Sequence, residues 1–301
     1  MFFRLNDKVL FRHYGTYGYI TDNSMFGYRF LNDNSVPLHE KFTSQSGAYI
    51  LSVLNRTPQD LDTITQKLFE IFIDVDYEAL KHDVYDFFMQ LSAEGYIDCG
   101  ESFDECREGI RKSFSSNETP ACNDSDTHFT VPQANLLKSI HIEIANACNE
   151  RCLHCFIPNK YKTSFMPSEL FYKIVEDGRA MNIIHVTLTG GEPMLHPDFM
   201  NFLRKCRELD LSVNVLSNLT LLNDEVISEM KNNPLLSVQA SLYSMLPSVH
   251  DEITQLAGSF EKTRSGILKL IEAGIPVQIS CQVVNNPTPK GGAFGEVWYT
   301  G

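Results

Sequence analysis

The chain has no long apolar run: no window approaches the roughly 18 unbroken apolar residues of a membrane-spanning helix, so a membrane protein is not expected. It is also poor in basic charge. Lysine and arginine number 25 against 38 acidic residues, a formal net charge of −13. A nucleic-acid partner is therefore not expected, because such proteins need basic surface to displace phosphate counterions; a cationic or neutral partner fits better. The opening run Met1-Phe-Phe-Arg-Leu-Asn-Asp-Lys8 is too short and too soon charged for a secretory signal. The expected location is cytoplasmic, where thiols stay reduced and clustered cysteines serve metal or redox chemistry. No internal repeat is present, and there is a single tryptophan. What remains is a globular composition, 43% apolar and 21% charged over 301 residues, long enough for one large domain and a small one.

Of eight cysteines, only three cluster: Cys148, Cys152 and Cys155, in Ala147-Cys-Asn-Glu-Arg-Cys-Leu-His-Cys-Phe156. Thiolates this close can ligate one soft metal centre, and three protein ligands leave one corner of a four-iron cluster open. A zinc knot using His154 is the competing reading, with the imidazole poorly spaced for it. The other cysteines read as bystanders. Cys206 lies on the apolar stripe of a helix and Cys281 in the apolar phase of a strand, both as packing residues. Cys99, Cys106 and Cys122 fall in or beside a polar stretch and read as solvent-exposed.

Organisation follows from periodicity. Short β-like runs, Val9–Tyr14, Tyr17–Ile20 and Phe26–Leu31, are separated by Gly, Asn, Asp and Ser. Helical patterns follow over Tyr49–Leu54, from a Thr57 cap with Pro58 at the first helical position, and over about Asp76 to Ala93 with Gly95 as the stop. This predicts a small α+β, winged-helix-like domain over residues 1–98. A polar stretch rich in Ser, Asp, Glu and Asn then predicts a linker over 99–136.

Beyond it, strands at Ile140–Ala145, Ile183–Thr189, Leu211–Leu216, Ser237–Leu242 and Val277–Val283 alternate with helices near 167–180, 197–209, 223–231 and 260–273. Such alternation implies a parallel sheet in an α/β domain, here over 137–285. Strands covered on both faces would read as continuous apolar runs. These instead interleave polar positions (His141, Glu143; His185, Thr187, Thr189; Gln239, Ser241; Gln278, Ser280, Gln282) with apolar ones. One face packs on helices; the other lines a polar interior, as in a partial (β/α) barrel around a ligand.

The cysteine run follows the first of these strands and Thr189-Gly-Gly-Glu-Pro193 follows the second. Both sit where parallel sheets place their sites, at C-terminal strand ends. Glycines there let backbone approach a ligand, and Glu192 can accept a hydrogen bond from an ammonium group.

The two motifs together resemble the radical S-adenosylmethionine superfamily. The resemblance implies that Cys148, Cys152 and Cys155 hold a [4Fe–4S] cluster and that the amine and carboxylate of S-adenosyl-L-methionine occupy the open iron. It implies further that Gly190, Gly191 and Glu192 position the amine and that His154 borders the adenine. Ser217 and Asn218, similar to the Thr-Asn-Gly turn of relatives, would line the cofactor's polar parts, and Ser241 would contact it from the fourth strand. Reductive cleavage of the sulfonium, with an electron donor such as flavodoxin or ferredoxin, would yield a radical that abstracts hydrogen from a substrate. No hydrogen-transfer residue is singled out; His141, Glu143 and His185 read as cavity wall.

The first hundred residues resemble the peptide-recognition domain of ribosomal-peptide maturation systems, the family of the pyrroloquinoline-quinone peptide chaperone, on Ala48–Leu61, Asp83–Leu91 and Gly95-Tyr-Ile97. Such domains add a leader peptide as a strand at a sheet edge; a plain packing module or DNA binder is the blander reading. The pair implies a maturase whose partner is a precursor peptide with a leader. A catalytically silent leader-binding protein, or an enzyme acting on a non-peptide substrate, are the alternatives. There are two departures from the family pattern. The strand-helix pattern stops after five strands where about six are usual, and no cysteine-rich extension follows. Residues 286–301 carry no strand-helix pattern.

Overall fold

The computed structural model describes residues 1–22, 38, 40–109, 137–233 and 235–282. By internal packing the chain falls into two units that meet in sequence between Leu137 and Lys138.

The first unit begins with β1 (Phe2–Leu5), β2 (Leu10–His13), β3 (Gly18–Thr21) and β4 (Glu40–Thr43). It continues with α1 (Gln45–Ser52), β5 (Gln59–Asp60), α2 (Leu61–Phe69), α3 (Tyr77–Glu94), β6 (Ile97–Gly100) and α4 (Phe103–Glu108). Two three-stranded antiparallel sheets result, ordered β2-β3-β4 and β5-β1-β6. Helix α3 begins where the Asp76 carboxylate accepts from Ala79 N, and Gly95 in the left-handed region ends it. Its Leu80, Val84, Phe88 and Leu91, one face at helical spacing, pack with Phe3, Val9, Ile20, Leu51, Ile64 and Leu68 into this unit's core.

Three expectations shift here. The second helix is capped by Asp60, whose side chain accepts from Thr63 N, and Thr57 lies before it. The chain stays ordered past residue 98: β6 runs to Gly100 and α4 follows, capped by Ser102. Cys106 is fully buried there, because its helix packs onto the Arg4–Asp98 ion pair (2.8 Å) and its carbonyl accepts from Arg4 Nε. Residues 99–108, expected as linker, thus carry the end of β6 and helix α4, and the exposed role expected of Cys106 is corrected. The expected strand Phe26–Leu31, Cys122 and residues 286–301 lie outside the described residues.

The second unit alternates β7 (Ser139–Ala145), α5 (Ser168–Ala180), β8 (His185–Gly190), α6 (Phe199–Glu208), β9 (Ser212–Ser217), α7 (Asp224–Lys231) and β10 (Leu236–Ser241). It ends with α8 (Pro247–Thr254), α9 (Ser259–Glu272) and β11 (Val277–Ser280). The sheet is parallel throughout and ordered as in sequence, β7-β8-β9-β10-β11. The apolar phase of the strands (Ile142, Ile144, Val186, Leu188, Val213, Val215, Val238, Ala240) joins Phe171, Val175, Phe202, Leu203, Cys206 and Leu270 of the helices in one core. Burying each such Leu, Val or Phe is worth about 1.5–3 kcal/mol. The polar phase faces the other way: Thr187, Thr189, Asn214, Gln239 and Ser241 are half-buried, and His141 and Glu143 are exposed. This is the α/β architecture read from the strand pattern. Cys206 is buried as expected, whereas Cys281 is exposed, because it lies just beyond β11 at the edge of the described sheet. Among the described residues no helix is long and apolar enough to cross a membrane.

Candidate active site

The cysteine loop leaves the C-terminal end of β7 and is fastened from several sides. Arg151 N donates to Thr254 O (3.0 Å) and Leu153 N to Ile253 O (2.9 Å), so the last turn of α8 receives two of its amides. Asn149 Nδ2 donates to Thr220 Oγ1 (2.6 Å), and Asn149 Oδ1 accepts from Asn218 Nδ2 (3.1 Å). Lys162, almost fully buried, donates through Nζ to Glu150 O (3.1 Å). Apart from Lys162 these partners are far from the loop in sequence, and α8, Glu150 and Lys162 are not singled out by any sequence signal beyond the loop itself.

The loop's own thiols are not consumed by this network. Cys148, Cys152 and Cys155 are free and half-buried. Burial raises the Cys148 thiol, and burial together with the neighbouring Glu150 charge pushes Cys152 up to about 12. Cys152 Sγ lies 3.3 Å from Glu150 Oε2 and donates to it. Burial in turn pushes the Glu150 carboxyl up to about 7. Cys148 and Cys152 are thus held as thiols, and a metal would have to displace their protons to bind.

The Gly-Gly-Glu turn behaves otherwise. Gly190 has φ +139°, and a Cβ built there would lie 2.0 Å from Ala145 O; one on Gly191 would lie 2.4 Å from Ala147 O. The backbone that these glycines approach is the root of the cysteine loop. Gly191 N donates to Ala145 O (2.6 Å) and Glu192 N to Ala147 O (2.8 Å), zipping the two motifs together. The Glu192 side chain is fully buried. Its Oε1 accepts from Met194 N (3.0 Å) and Ser217 Oγ (2.9 Å), and its Oε2 from Asn218 N (2.9 Å). Burial pushes this carboxyl up to about 7 against those three hydrogen bonds, which favour the ionised form.

Ser217 and Asn218 are likewise buried and engaged, Ser217 Oγ also accepting from Leu219 N (2.9 Å). Where the relatives' turn carries glycine, this chain has Leu219 at φ +60°, a left-handed conformation costing about 1–2 kcal/mol for such a residue. Ser241, half-buried, ends β10. His154 is exposed, its ring edge against Tyr243 with centroids 4.8 Å apart. The expected site residues thus share one end of the sheet, but they divide. The thiols, His154 and Ser241 keep accessible groups; Glu192, Ser217 and Asn218 spend theirs on one another.

At the other pole of β8, His185 is buried, with Nδ1 3.0 Å from Ser212 Oγ and Nε2 3.3 Å from Thr187 Oγ1. Burial, with His141 nearby, lowers it to about 4. It is a wall residue held neutral.

Residues 142–288 match the radical SAM superfamily, and residues 43–97 match coenzyme PQQ synthesis protein D. Residues 142–288 form a radical SAM domain. The PqqD-like segment precedes it. Among curated relatives, the chain is 30% identical over 151 residues to a GTP 3',8-cyclase of Petrotoga mobilis, covering 48% of this chain and 46% of that protein. It is 30% identical over 146 residues to the sporulation killing factor maturation protein SkfB of Bacillus subtilis, covering 48% and 35%. The chain spans less than half the length of these relatives. Among solved structures, Streptococcus suis SuiB matches over 92% of this chain and 55% of that one, with TM-score 0.51 and 13% identity, a likeness of fold. SuiB has also been crystallised bound to its precursor peptide SuiA.

Radical SAM proteins use a [4Fe–4S] cluster and S-adenosyl-L-methionine. Among the described residues no three His, Cys, Asp or Glu side chains are placed to hold a single metal ion. A four-iron cluster takes one thiolate per iron, so its cysteines border a common space and need not converge on a point. Three free, half-buried thiols on one tethered loop, beside the open polar face of the sheet, are a donor set that fits it.

Proposed function

We propose that this chain is a radical SAM enzyme that modifies a ribosomally made peptide, with its first unit capturing the leader of the precursor. The observation that carries the reading is the tethered loop of three thiols outside any disulfide, zipped through Ala145 and Ala147 to the Gly-Gly-Glu turn. In this reading Cys148, Cys152 and Cys155 would hold the cluster, leaving one iron for the methionyl end of S-adenosyl-L-methionine. Gly190, Gly191, Ser241 and His154 would border that cofactor, with Glu192, Ser217 and Asn218 fixing the turns around it. When bound, this pair supplies an electron to the sulfonium and so a 5′-deoxyadenosyl radical able to take hydrogen from a substrate.

The chain's own residues supply placement and exclusion of water. Asn149, Lys162 and the α8 carbonyls hold the cysteine loop. His185, neutral and buried, closes the far pole of the polar face without adding charge to it. The PqqD-like segment favours a peptide substrate over the nucleotide that the cyclase relative's name implies. Strands β2 and β4 are paired on one side only among the described residues, and a leader could add to either edge. The electron would come from a flavodoxin- or ferredoxin-like donor, in the cytoplasm.

Anaerobic reconstitution with iron and sulfide, followed by reduction in the presence of S-adenosyl-L-methionine, tests the enzyme reading: a brown protein that forms 5′-deoxyadenosine supports it. A colourless protein without cleavage, which still binds the leader encoded beside its gene, would favour a silent leader-binding protein.

A further inference from the structure

Two cations meet at one atom of the cysteine loop. Lys162 Nζ donates to Glu150 O (3.1 Å), and Arg151 Nη1 donates to the same oxygen (2.8 Å). Arg151 is exposed, so water and salt screen its charge. Lys162 is 3% exposed, and a lysine is almost never buried so deeply unless it is paired. Among the described residues Lys162 makes no ion pair. Its ammonium, with three protons to donate, makes one hydrogen bond, to a neutral carbonyl.

The neighbouring carboxyl does not answer this charge. Glu150 is buried too; its Oε2 meets Cys152 Sγ (3.3 Å), and its Oε1 has no hydrogen-bond partner. A buried ion without a counterion opposes folding, yet the backbone that carries this one is firmly fastened. Lys162 N donates to Asn159 O (3.3 Å), and two residues on Ser164 O accepts from both Asn146 N (2.9 Å) and Ala147 N (3.1 Å). That is the root from which the cysteine loop departs.

The charge is also close to the thiols. Glu150 N donates to Cys148 Sγ (3.4 Å), so through residue 150 the ammonium lies within about 10 Å of that sulfur. Ligation releases the thiol protons and leaves negative charge on the loop, and a cluster's potential follows the charge around it.

We propose that Lys162 is a positioning residue, the buried countercation of the cluster on Cys148, Cys152 and Cys155, and that its charge raises the cluster's reduction potential. The proposal rests on the reading that this loop holds that cluster. Reduction adds one electron, hence one negative charge, which a fixed cation stabilises. At an effective dielectric of about 20, a unit charge about 10 Å away changes such an equilibrium about tenfold.

A lysine that merely propped up Glu150 O would need its hydrogen bond and not its charge. Lys162→Gln keeps an amide donor and Lys162→Met keeps the length, both without charge, whereas Lys162→Arg keeps the charge. Wild type and the three variants are reconstituted side by side and titrated with a low-potential mediator series, reading the reduced cluster by electron paramagnetic resonance. That signal comes only from molecules carrying a cluster, so unequal iron loading does not blur it. Both neutral variants should have midpoints more negative by that tenfold, about 59 mV for one electron, with Lys162→Arg near wild type. Thermal unfolding of the iron-free proteins is the second readout: loss of an unpaired buried charge should not lower their stability, whereas loss of a prop should. Neutral variants that keep this stability but take up no iron, while Lys162→Arg does, would also support the proposal. Neutral variants that are unstable without iron, or whose midpoint is unchanged or more positive, would overturn it while leaving the enzyme reading intact. A shift in Lys162→Arg as large as theirs would overturn it as well. A wild-type protein that takes up no cluster would overturn the enzyme reading, and this inference with it.

Discussion

The cysteine loop and the Gly-Gly-Glu turn lie side by side at one end of the sheet, yet they use their polar groups in opposite ways. The turn spends its groups on the neighbouring protein. Its glycines admit the Ala145 and Ala147 carbonyls, and its buried carboxylate accepts three hydrogen bonds. The loop is held almost wholly through backbone and through Asn149, and its thiols bond only within the loop. One motif is scaffold and the other is equipment, a distinction that residue identity alone does not reveal. It teaches that a glycine-rich turn beside a ligand site can be glycine-rich for the sake of the neighbouring loop.

Substitutions should break or sharpen that contrast. Gly190→Ala places a Cβ against Ala145 O at a positive φ, and should cost more than about 3 kcal/mol in the denaturation midpoint, or prevent folding. A variant that folds with wild-type stability would show that the turn can open away from Ala145 without cost, and that its close fit to the cysteine loop is not needed.

The next effect is pH-dependent and lies at the other pole of the same strand. His185 falls from 6.5 to about 4 on folding, so the unfolded chain binds the proton first. The stability His185 contributes is complete above pH 6.5 and lost as pH falls toward 4, with a ceiling of about 3 kcal/mol. Equilibrium unfolding of wild type and His185→Gln across that window should show the wild type losing more.

Glu192→Gln sets an amide N–H against the Asn218 N–H in a dry site and should cost about 2 kcal/mol. Fluorescence-detected unfolding would check it. Cys155→Ala should be the mildest, under about 1 kcal/mol in the cluster-free protein, while removing iron uptake, measured by metal analysis. A stability loss as large as that of Glu192→Gln would show the thiol to be structural.

Much of this was legible because it is written in local pattern. Strict alternation announced the two faces of β7, β8 and β10, and the spacing of Leu80, Val84 and Leu91 announced α3. Other features left no such mark. Helix α8 matters to the loop through the carbonyls of Ile253 and Thr254, and a carbonyl has no side-chain signature. Cys106 sits in a polar segment, and only the Arg4–Asp98 pair beneath it explains its burial. Lys162, Glu150 and Tyr243 gain significance by meeting the cysteine loop in space, Tyr243 through the ring of His154.

The sequence by itself determined the parallel α/β unit, the small α+β unit before it and the identity of the three thiols. Hydrophobic periodicity and close cysteine spacing act over a few residues, and nothing distant need be known to read them. Only the tertiary structure decided which polar groups of the site are spent and which are left over. That depends on hydrogen bonds between residues such as Asn149 and Thr220, or Glu192 and Asn218, far apart along the chain and joined when strands of one sheet end at the same pole.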